Sequence, residues 1–516
     1  MDTLDPDACY LALKARDTRF DGVFFTGVTS TGIYCRPVCR VRTPKAQNCR
    51  FFGHAAQAEA AGFRPCLRCR PELAPASNNG LAHWSTEDAS QLLALDAARL
   101  LREAADSAGG GGLDAGDPGE GSSVAHVAAR LGVSERHLRR IFTDHWGTSP
   151  MQFLQTLRLL NAKLLLTDTR LPVSTVAALS GFASQRRFHA AWQARYGLHP
   201  LQLRKTTPPD AAEQGAGFRF KLPYRPPLDV AHLLGFLGQR AMAGVEFVDL
   251  DQRQWGSTLT LRQGGQRHTG WVVARFDGTH DLVHLQVADS LAPVLPQVLQ
   301  RVRHALDLDL LPEVVHAVLH EAFPEAAGQR LPGALDGFAQ AVRAVLGQQV
   351  TVKAARTLAQ RLVNRWGAPI ATPWPALTHL FPAPETLAQA SGDDLGALGI
   401  TRQRQAAIQA LALGVAAGSL QLDTAAQPAA TIAALKALPG IGDWTAHYIA
   451  MRALHWPDAF PAGDVALHHA LGLHSLGLRE AQRAAEQRAQ AWRPWRAYAV
   501  IRAWHATAAP PTEDTP

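Results

Sequence analysis

The sequence is poor in cysteine. Only six cysteines occur in 516 residues, and none follows Cys69. So few cysteines in so long a chain do not make a disulfide framework, and clustered cysteines in a reducing compartment more often bind a metal ion. The same absence excludes an iron–sulfur cluster held by cysteines in the C-terminal half.

The sequence also lacks long hydrophobic runs. No stretch reaches the roughly 18 apolar residues that a membrane-spanning helix requires. The first ten residues, MDTLDPDACY, have neither the basic segment nor the apolar run of a secretory signal. We therefore expect a soluble, cytoplasmic protein with no membrane partner. Several domains are expected, because 516 residues are too many for one hydrophobic core.

Positive charge is concentrated in two N-terminal blocks. The net charge of the chain is +7, and residues 1–74 carry 11 Lys and Arg against 7 Asp and Glu. Residues 124–205 carry 12 basic residues against 3 acidic ones, whereas the residues after 205 carry 26 of each. This distribution predicts that the two N-terminal blocks contact a polyanion.

Two segments rich in glycine or proline divide the chain. Residues 106–123 (DSAGGGGLDAGDPGEGSS) and 205–217 (KTTPPDAAEQGAG) are typical of flexible linkers. Residues 218–287 alternate between apolar and polar positions, which predicts strands, and the chain from residue 292 has helical periodicity. The expected fold class is multidomain, mainly α with α+β parts.

Residues 124–204 contain one small pattern twice: an apolar helix, a turn with glycine, and a basic helix. The turns fall at Gly132 and Gly181, and Ser134 and Ser184 precede the second helices. The pattern predicts two helix-turn-helix units, each with a second helix that can lie in the major groove. The outward residues expected to contact DNA are Arg136, Arg139, Arg140, Gln185, Arg186 and Arg187.

A single such pattern is often only a helical hairpin, but two copies 50 residues apart, joined by GTSPMQFLQTLRLLNAKLLL, are more specific. This block resembles the DNA-binding domain of the AraC family of transcription regulators. The resemblance implies binding to promoter DNA, with RNA polymerase as a partner during activation.

Four cysteines form two pairs with the spacing of metal ligands. Cys35 and Cys39 are followed, after 26 residues, by Cys66 and Cys69, and four thiolates can close a tetrahedral zinc site. By spacing alone, a zinc site that only stabilises a small fold is the more frequent interpretation.

Arginines surround both cysteine pairs, and we expect Arg36, Arg40 and Arg68 to contact DNA phosphates. The segments FDGVFFTGVTSTGIYCRPVCR and AAGFRPCLRCRP resemble the N-terminal domain of the Ada family, over about residues 2–73. The resemblance implies one Zn²⁺ held by the four cysteines, and irreversible transfer of a methyl group from a DNA methylphosphotriester to Cys35. A zinc-bound thiolate stays deprotonated at neutral pH and is the nucleophile. Its methylation would reduce the repulsion of phosphate, so the damage would act as an electrostatic switch.

A second candidate site lies in the C-terminal half. The segment LKALPGIGDWTAHYIAMRAL, residues 435–454, places a Pro-Gly-Ile-Gly hairpin between two apolar helical stretches. Such a hairpin can present backbone N–H groups to a phosphate, although an ordinary connection between helices has the same pattern. Asp464 follows 20 residues after Trp444.

These features resemble the helix-hairpin-helix DNA glycosylase superfamily, and residues 218 to 506 resemble its AlkA, or 3-methyladenine DNA glycosylase, family. AVRAVLGQQVTVKAARTLAQRL and RPWRAYAVIRAW carry the resemblance as well. It implies a base pocket of Trp444, Tyr448 and Trp495 with Asp464 as the catalytic residue. It also implies DNA contacts at Gln348, Gln349, Gly440, Ile441 and Gly442.

One absence and two departures refine this resemblance. No lysine lies between Pro439 and Ala470, so a Schiff base with the sugar is not expected and the glycosylase would be monofunctional. Ala462-Gly463 replaces the Gly-Pro of the superfamily before the aspartate. Gln349 stands where AlkA has an apolar residue that fills the space of the flipped base. Asp458 is the second choice for the catalytic carboxylate.

The combined prediction is a fusion protein that senses DNA methylation, activates repair genes and excises alkylated bases of the 3-methyladenine type from double-stranded DNA. Two alternatives remain: a methylation-triggered regulator whose glycosylase half binds lesions without cutting, and an active glycosylase held on DNA by an inert zinc site. The predicted segments are 1–75 (zinc methyl acceptor), 76–123 (helical segment and linker), 124–205 (double helix-turn-helix), 206–217 (linker), 218–290 (α+β), 291–506 (helix-hairpin-helix) and 507–516 (disordered tail).

Overall fold

The computed structural model describes residues 4–76, 89–107, 120–205, 217–263, 265–424 and 426–508. Most of the predicted acidic linker, the second linker and the predicted tail lie outside the described residues. The chain forms two compact units. Unit 1 comprises residues 1–226, 261–270 and 277–300, and unit 2 comprises residues 227–260, 271–276 and 301–516.

Residues 4–76, here called the cysteine module, form a small four-stranded sheet with two helices. The strands are β1 (Phe25–Val28), β2 (Ile33–Cys35), β3 (Cys49–Phe52) and β4 (Arg64–Pro65), in the order β3-β1-β2-β4, and the helices are α1 (Pro6–Ala15) and α2 (Ala55–Ala60). Strands β2 and β4 are parallel, with Tyr34 opposite Pro65. This pairing brings the two cysteine segments together, since Cys35 ends β2 and Cys66 follows β4.

The basic block is helical and contains the two predicted helix-turn-helix units, which confirms that prediction. Helix α3 (Ala89–Ser107) precedes this block, and the helices of the block are α4 (Glu120–Arg130), α5 (Glu135–Trp146), α6 (Pro150–Asp168), α7 (Val173–Leu179), α8 (Gln185–Tyr196) and α9 (Pro200–Lys205). Ser134 and Ser184 cap α5 and α8 by accepting hydrogen bonds from backbone amides three residues later. The turn glycines, Gly132 and Gly181, have φ of +67° and +79°, a region that favours glycine.

A five-stranded sheet follows, as the alternating pattern predicts. Its strands are β5 (Phe218–Pro223), β6 (Glu246–Asp249), β7 (Gln254–Gln263), β8 (Gln266–Phe276) and β9 (Leu282–Val287), in the order β5-β9-β8-β7-β6, with helix α10 (Val230–Arg240) inserted after β5. Strands β5 and β9 are antiparallel, with buried Phe220 opposite buried Leu285.

The remainder is helical. The helices are α11 (Leu295–Ala305), α12 (Pro312–Leu319), α13 (Gly337–Leu346), α14 (Val352–Trp366), α15 (Pro384–Gln389), α16 (Gly392–Ala397), α17 (Arg402–Ala416), α18 (Pro428–Lys436), α19 (Asp443–Arg452), α20 (Val465–Ala470), α21 (Leu478–Arg488) and α22 (Arg496–Ala508). Helix α13 is buried along almost its whole length and packs against α14, α17 and α19. The multidomain, mainly α prediction is confirmed. None of the described helices combines the length and apolar character needed to cross a membrane.

Candidate functional site

The four predicted cysteine ligands form one cluster. The Sγ atoms of Cys35, Cys39, Cys66 and Cys69 all lie within 4.8 Å of one another. Three of the four residues are buried, and Cys69 is partly buried. Four thiolates about 2.3 Å from a central Zn²⁺ would lie about 3.8 Å apart, so this donor set fits a tetrahedral zinc ion.

One backbone amide supports the cluster. The amide of Arg36 donates to Sγ of Cys69 over 3.4 Å. A hydrogen bond to a thiolate stabilises its negative charge, so the residue that follows Cys35 helps to hold Cys69 in place.

The arginines predicted to contact DNA differ in position. Arg40 and Arg68 are exposed. Arg36 is buried: its Nε donates to Oδ1 of Asp21 over 2.8 Å, a second contact joins the same carboxylate, and Nη1 donates to the Cys69 carbonyl oxygen over 3.1 Å. Arg36 was expected to contact a DNA phosphate, but in the structure its side chain is buried beside the cysteine cluster. There it holds Asp21 and the backbone of Cys69.

The cysteine module is joined to the helix-turn-helix block through buried Glu59 of α2. One carboxylate oxygen of Glu59 accepts a hydrogen bond from the Tyr34 hydroxyl (3.1 Å), and the other from the Thr156 hydroxyl of α6 (2.8 Å). Arg195 of α8 lies 3.2 Å from this carboxylate and also donates to the Glu59 carbonyl oxygen. Burial raises the pKa of Glu59, and Arg195 opposes that rise.

A second buried network starts beside Cys66. The ammonium of Lys163, on α6, donates to the Cys66 carbonyl oxygen over 3.2 Å and forms a short ion pair with Glu72. Arg70 binds Glu72 over 3.0 Å and holds Asp168 with both terminal nitrogens, at 2.6 and 2.8 Å. Both cysteine pairs are thus adjacent to residues that bind the helix-turn-helix block. Nothing in the sequence indicated these contacts, because their partners are about 90 residues apart.

The DNA-contact residues predicted in the two second helices lie on the surface. They are Arg136, Arg139 and Arg140 of α5, and Gln185, Arg186 and Arg187 of α8, and all six are exposed. In α5, Arg139 forms an ion pair with Glu135 one turn earlier, at 2.9 Å. Both second helices thus present positive charge to solvent, as a major-groove helix does.

Unit 2 contains a cavity of about 660 Å³ lined by aromatic residues. The residues that matter here are Phe236 of α10, Trp444 and Tyr448 of α19, Asp464 before α20, and Trp504 of α22. Trp444 and Tyr448 were predicted from the sequence, and they stack on each other with centroids 5.2 Å apart. Phe236 and Trp504 were missed.

Asp464 is held at the wall of this cavity by both tryptophans. Nε1 of Trp444 donates to Oδ2 over 2.8 Å, and Nε1 of Trp504 donates to Oδ1 over 2.9 Å. Oδ1 also accepts the Leu467 amide over 2.8 Å, so Asp464 is at the same time the N-cap of α20. The carboxylate is 9% exposed and keeps capacity for a further hydrogen bond.

Two residues considered at the sequence level lie outside the cavity lining. Trp495 is buried at 3% exposure and packs edge-on against Tyr498. Asp458, the second choice for the catalytic carboxylate, forms a bidentate ion pair with Arg496, with two contacts of 2.7 Å, and is 3% exposed. Trp504 belongs to the same sequence segment as Trp495, but Trp504 lies within α22 whereas Trp495 precedes that helix.

The hairpin residues play different parts. Gly440 has φ +74°, and a Cβ there would lie 3.0 Å from the Gln403 carbonyl oxygen. Ile441 is buried, whereas Gly442 is exposed at the start of α19. The side-chain Nε2 of Gln348 donates to the Gly440 carbonyl oxygen and to Thr445 Oγ1, both over 2.9 Å. Gln348 therefore ties the α13–α14 loop to the hairpin.

Gln349 is exposed at the tip of this loop and has φ +54°. Such a backbone is uncommon for a residue other than glycine, and strained residues of this kind cluster at functional sites. Gln349 is not among the residues that line the cavity, whereas the next residue, Val350, is.

Arginines contact the aromatic residues, and Arg240 and Arg343 also line the cavity. Nη1 of Arg452 donates to the Tyr448 hydroxyl over 3.2 Å, and the Arg240 guanidinium lies 3.7 Å from the Phe236 ring centroid. Burial raises the pKa of Tyr448, but Arg452, Arg240 and Arg343 together lower it below its usual value. Burial lowers the pKa of Arg452 to about 10.

Comparison with protein families gives four matches along the chain. They are the metal-binding domain of Ada at residues 8–72, a helix-turn-helix domain at 127–206, the AlkA N-terminal domain at 219–336, and the HhH-GPD superfamily of base excision DNA repair proteins at 342–497.

Three known proteins are similar over different parts of the chain. DNA-3-methyladenine glycosylase 2 of Escherichia coli (strain K12) is 31% identical over 57% of this chain and 99% of its own length. The bifunctional transcriptional activator/DNA repair enzyme Ada of the same organism is 29% identical over 39% of this chain and 49% of its own length. A protein of Mycobacterium tuberculosis named "Probable bifunctional transcriptional activator/DNA repair enzyme AlkA" is 37% identical over 97% of this chain and 96% of its own length.

The last similarity spans all four domains, and each domain has its own family match. The chain therefore belongs to the family of bifunctional transcriptional activator/DNA repair enzymes in which an Ada-type metal-binding domain, a helix-turn-helix domain and an AlkA-type DNA glycosylase are joined.

Proposed function

We propose that this protein accepts a methyl group from damaged DNA phosphates, activates repair genes in response, and excises alkylated bases as a monofunctional DNA glycosylase in the cytoplasm. The observation that carries the excision activity is the Asp464 carboxylate, held by two indole N–H groups at the wall of an aromatic cavity. The observation that favours methyl transfer is the cluster of Cys35 with Cys39, Cys66 and Cys69, whose donor set fits one Zn²⁺.

A flipped base would lie between Phe236 and Trp504. Their rings are nearly parallel, at 11°, with centroids 6.5 Å apart. Stacked bases are separated by about 3.4 Å, so a base between these two side chains would need their rings to move apart by a few tenths of an ångström. N-alkylated purines are cationic, and electron-rich ring faces attract cations. Trp444 and Tyr448, stacked together, would form a further wall of the pocket.

Asp464 would stabilise the reacting sugar. As the bond from C1′ to the base breaks, the electron pair leaves with the base and positive charge develops on the sugar. A carboxylate fixed by three donors needs no rearrangement to stabilise that charge. A water molecule then adds to C1′ and loses its proton to solvent. The lack of lysine between Pro439 and Ala470 supports hydrolysis rather than strand cleavage through a Schiff base.

The test of this activity is the release of free bases from methylated duplex DNA. We expect the wild type to release 3-methyladenine and Asp464→Asn to release almost none while still binding DNA. Asp443→Asn is the matched control, since Asp443 also lies at the start of a helix but pairs with Lys436. Absence of base release by the wild type would favour the alternative of a regulator with an inactive glycosylase half.

Cys35 is the proposed methyl acceptor. Its sulfur would attack the methyl carbon of a phosphotriester, the S–C bond would form as the C–O bond breaks, and the oxygen would keep the electron pair as a phosphodiester anion. Bound Zn²⁺ would keep the four thiols deprotonated. Exposed Arg40 and Arg68 would hold the neighbouring phosphates. The resulting thioether removes one negative charge, so DNA is repelled less strongly.

Mass spectrometry tests this reaction. After incubation with DNA that contains methylphosphotriesters, we expect one methyl group on Cys35 and none on Cys39, Cys66 or Cys69. Cys49→Ser should behave like the wild type, because Cys49 lies outside the cluster. An unmodified Cys35, together with transcription that still responds to alkylation in Cys35→Ser, would favour the alternative of an inert zinc site.

The transcription role would be carried by the exposed basic faces of α5 and α8 on promoter DNA, with RNA polymerase as the partner. Methylated and unmethylated protein should differ in promoter affinity, and the difference should shrink as salt is raised, because it arises from charge.

A further inference from the structure

Arg225 follows strand β5 and is completely buried in unit 1. Its Nε donates to the Asp21 carbonyl oxygen over 2.7 Å. Its Nη2 donates to the carbonyl oxygens of Pro75 (3.0 Å) and Ala76 (2.9 Å). One guanidinium thus joins an early loop of the cysteine module to the end of that module, and these carbonyls satisfy donors that would be costly to bury alone.

Gly22 packs closely against Pro75 and Arg225. Gly22 has φ +75°, and a Cβ at this position would lie 2.0 Å from the Pro75 carbonyl oxygen and 3.0 Å from Nη2 of Arg225. Only glycine fits both this backbone conformation and this approach. The arrangement therefore depends on residues at three separate places in the sequence.

Arg225 is also connected to the cysteine cluster. Its partner Asp21 binds the guanidinium of Arg36 through the carboxylate, with Nε at 2.8 Å. Arg36 in turn donates its amide to Sγ of Cys69 over 3.4 Å and its side chain to the Cys69 carbonyl oxygen over 3.1 Å. Two residues, Asp21 and Arg36, separate Arg225 from a cysteine of the candidate metal site.

We propose that Arg225 is a positioning residue of the metal centre: it docks strand β5 on the cysteine module and, through Asp21 and Arg36, fixes Cys69. The inference rests on the proposal that the four cysteines hold a metal ion. Arg225 lies within the match to the AlkA N-terminal domain, whereas the cysteines lie within the match to the Ada metal-binding domain. A residue of one domain therefore supports the site of another.

The test compares how fast the full-length, zinc-loaded protein transfers its metal to a chromogenic chelator. Loss of outer-sphere partners typically weakens metal binding about 10–100-fold, so Arg225→Met should release zinc about tenfold faster than the wild type. Arg225→Lys should be intermediate, because one ammonium cannot replace a planar group that reaches three carbonyls. Arg219→Met is the matched control: Arg219 is on the same strand but exposed, and zinc release should not change.

Gly22→Ala provides a second variant that leaves Arg225 itself unchanged. Its added methyl group would displace the Pro75 carbonyl, so faster zinc release is expected here too. Unaltered release from folded Arg225→Lys and Gly22→Ala, with full zinc content, would overturn the role of Arg225 and leave the metal site intact. A wild type that binds no zinc at all would instead overturn the metal site, and the inference with it.

Discussion

The indole N–H of Trp504 donates a hydrogen bond to Oδ1 of Asp464 over 2.9 Å. Trp504 therefore has two roles: its N–H group holds the carboxylate, and its ring forms one wall of the proposed base site, with Phe236 as the other. The position of the carboxylate and the width of the pocket consequently depend on one side chain.

Trp504→Phe should separate these two tasks, because phenylalanine keeps a flat ring and removes the N–H group. Loss of a hydrogen bond to a charged group costs about 1.5–3 kcal/mol, so kcat/KM for base release should fall about 10–100-fold. The measurement is single-turnover release of 3-methyladenine from duplex DNA. Trp495→Phe is the control, and it should lower stability without changing kcat/KM, since Trp495 does not line the cavity. The reverse pattern would place the base near Trp495.

Glu59→Gln should loosen the cysteine module from the helix-turn-helix block. The substitution keeps the size of the side chain but removes the charge that faces Arg195, and loss of a hydrogen bond to a charged group typically costs about 1.5–3 kcal/mol. Urea unfolding of the full-length protein measures the change. Glu135→Gln, in the exposed pair with Arg139, should cost about 0.5 kcal/mol or less. Equal effects of the two substitutions would mean that Glu59 contributes no more than a surface charge.

Arg36 and Arg40 should have opposite effects when replaced by methionine. Arg36→Met removes the buried partner of Asp21, so metal retention and stability should fall. Arg40→Met removes an exposed charge, so stability should be preserved while DNA affinity falls and the salt dependence of binding decreases by about one charge. DNA binding titrations at several salt concentrations, with zinc content measured in parallel, distinguish the two. Loss of DNA affinity in both variants at full zinc content would contradict the buried role of Arg36.

His54 should make unit 1 sensitive to acid. Its Nδ1 accepts the Ala56 amide and its ring stacks on Phe153, and burial together with the charge of Arg102 lowers its pKa to about 3. In the unfolded chain His54 binds a proton near the ordinary pKa of about 6.5. The contribution of the neutral, buried imidazole to the free energy of unfolding is therefore complete above pH 6.5 and is lost as the pH falls towards 3. At pH 5 the loss should be about 2 kcal/mol.

His54→Asn keeps an acceptor for the cap of α2 and removes the titration. We expect this variant to be less stable at pH 7 but to lose less stability between pH 7 and pH 5 than the wild type. Chemical unfolding at both pH values provides the comparison, and parallel pH dependences would show that another group titrates.

Local signals account for the features that the sequence predicted well. The spacing of the cysteines and the capping serines with their turn glycines each act within a few residues, so they can be recognised without knowing the fold. Trp444, Tyr448 and Asp464 lie on neighbouring elements, and their resemblance to a known family placed them in one cavity.

Long-range packing explains what was missed. Arg36 stands among arginines that are exposed, and only the folded loop that carries Asp21 turns it inward. Trp504 and Trp495 differ by nine positions in one segment, and which of them faces the cavity depends on the start and phase of α22. Glu59 finds Thr156 and Arg195 in helices 97 and 136 residues away, and Lys163 finds Cys66 and Glu72 in the cysteine module 97 and 91 residues away. No pattern in α2 or α6 reveals these partners.

The buried charges between the cysteine module and α6 limit how this part of the chain can have been assembled. A replacement module from another protein would have to supply an anion opposite Lys163 and a cation opposite Asp168, or leave each buried and unpaired. Recombination at the predicted linker after residue 75 would thus yield a functional chimera only when the incoming module supplied both charges. The cysteine module and the helix-turn-helix block should be inherited together, and a fragment for biochemical work should contain both and extend past Arg225, which contacts the cysteine module within the same unit.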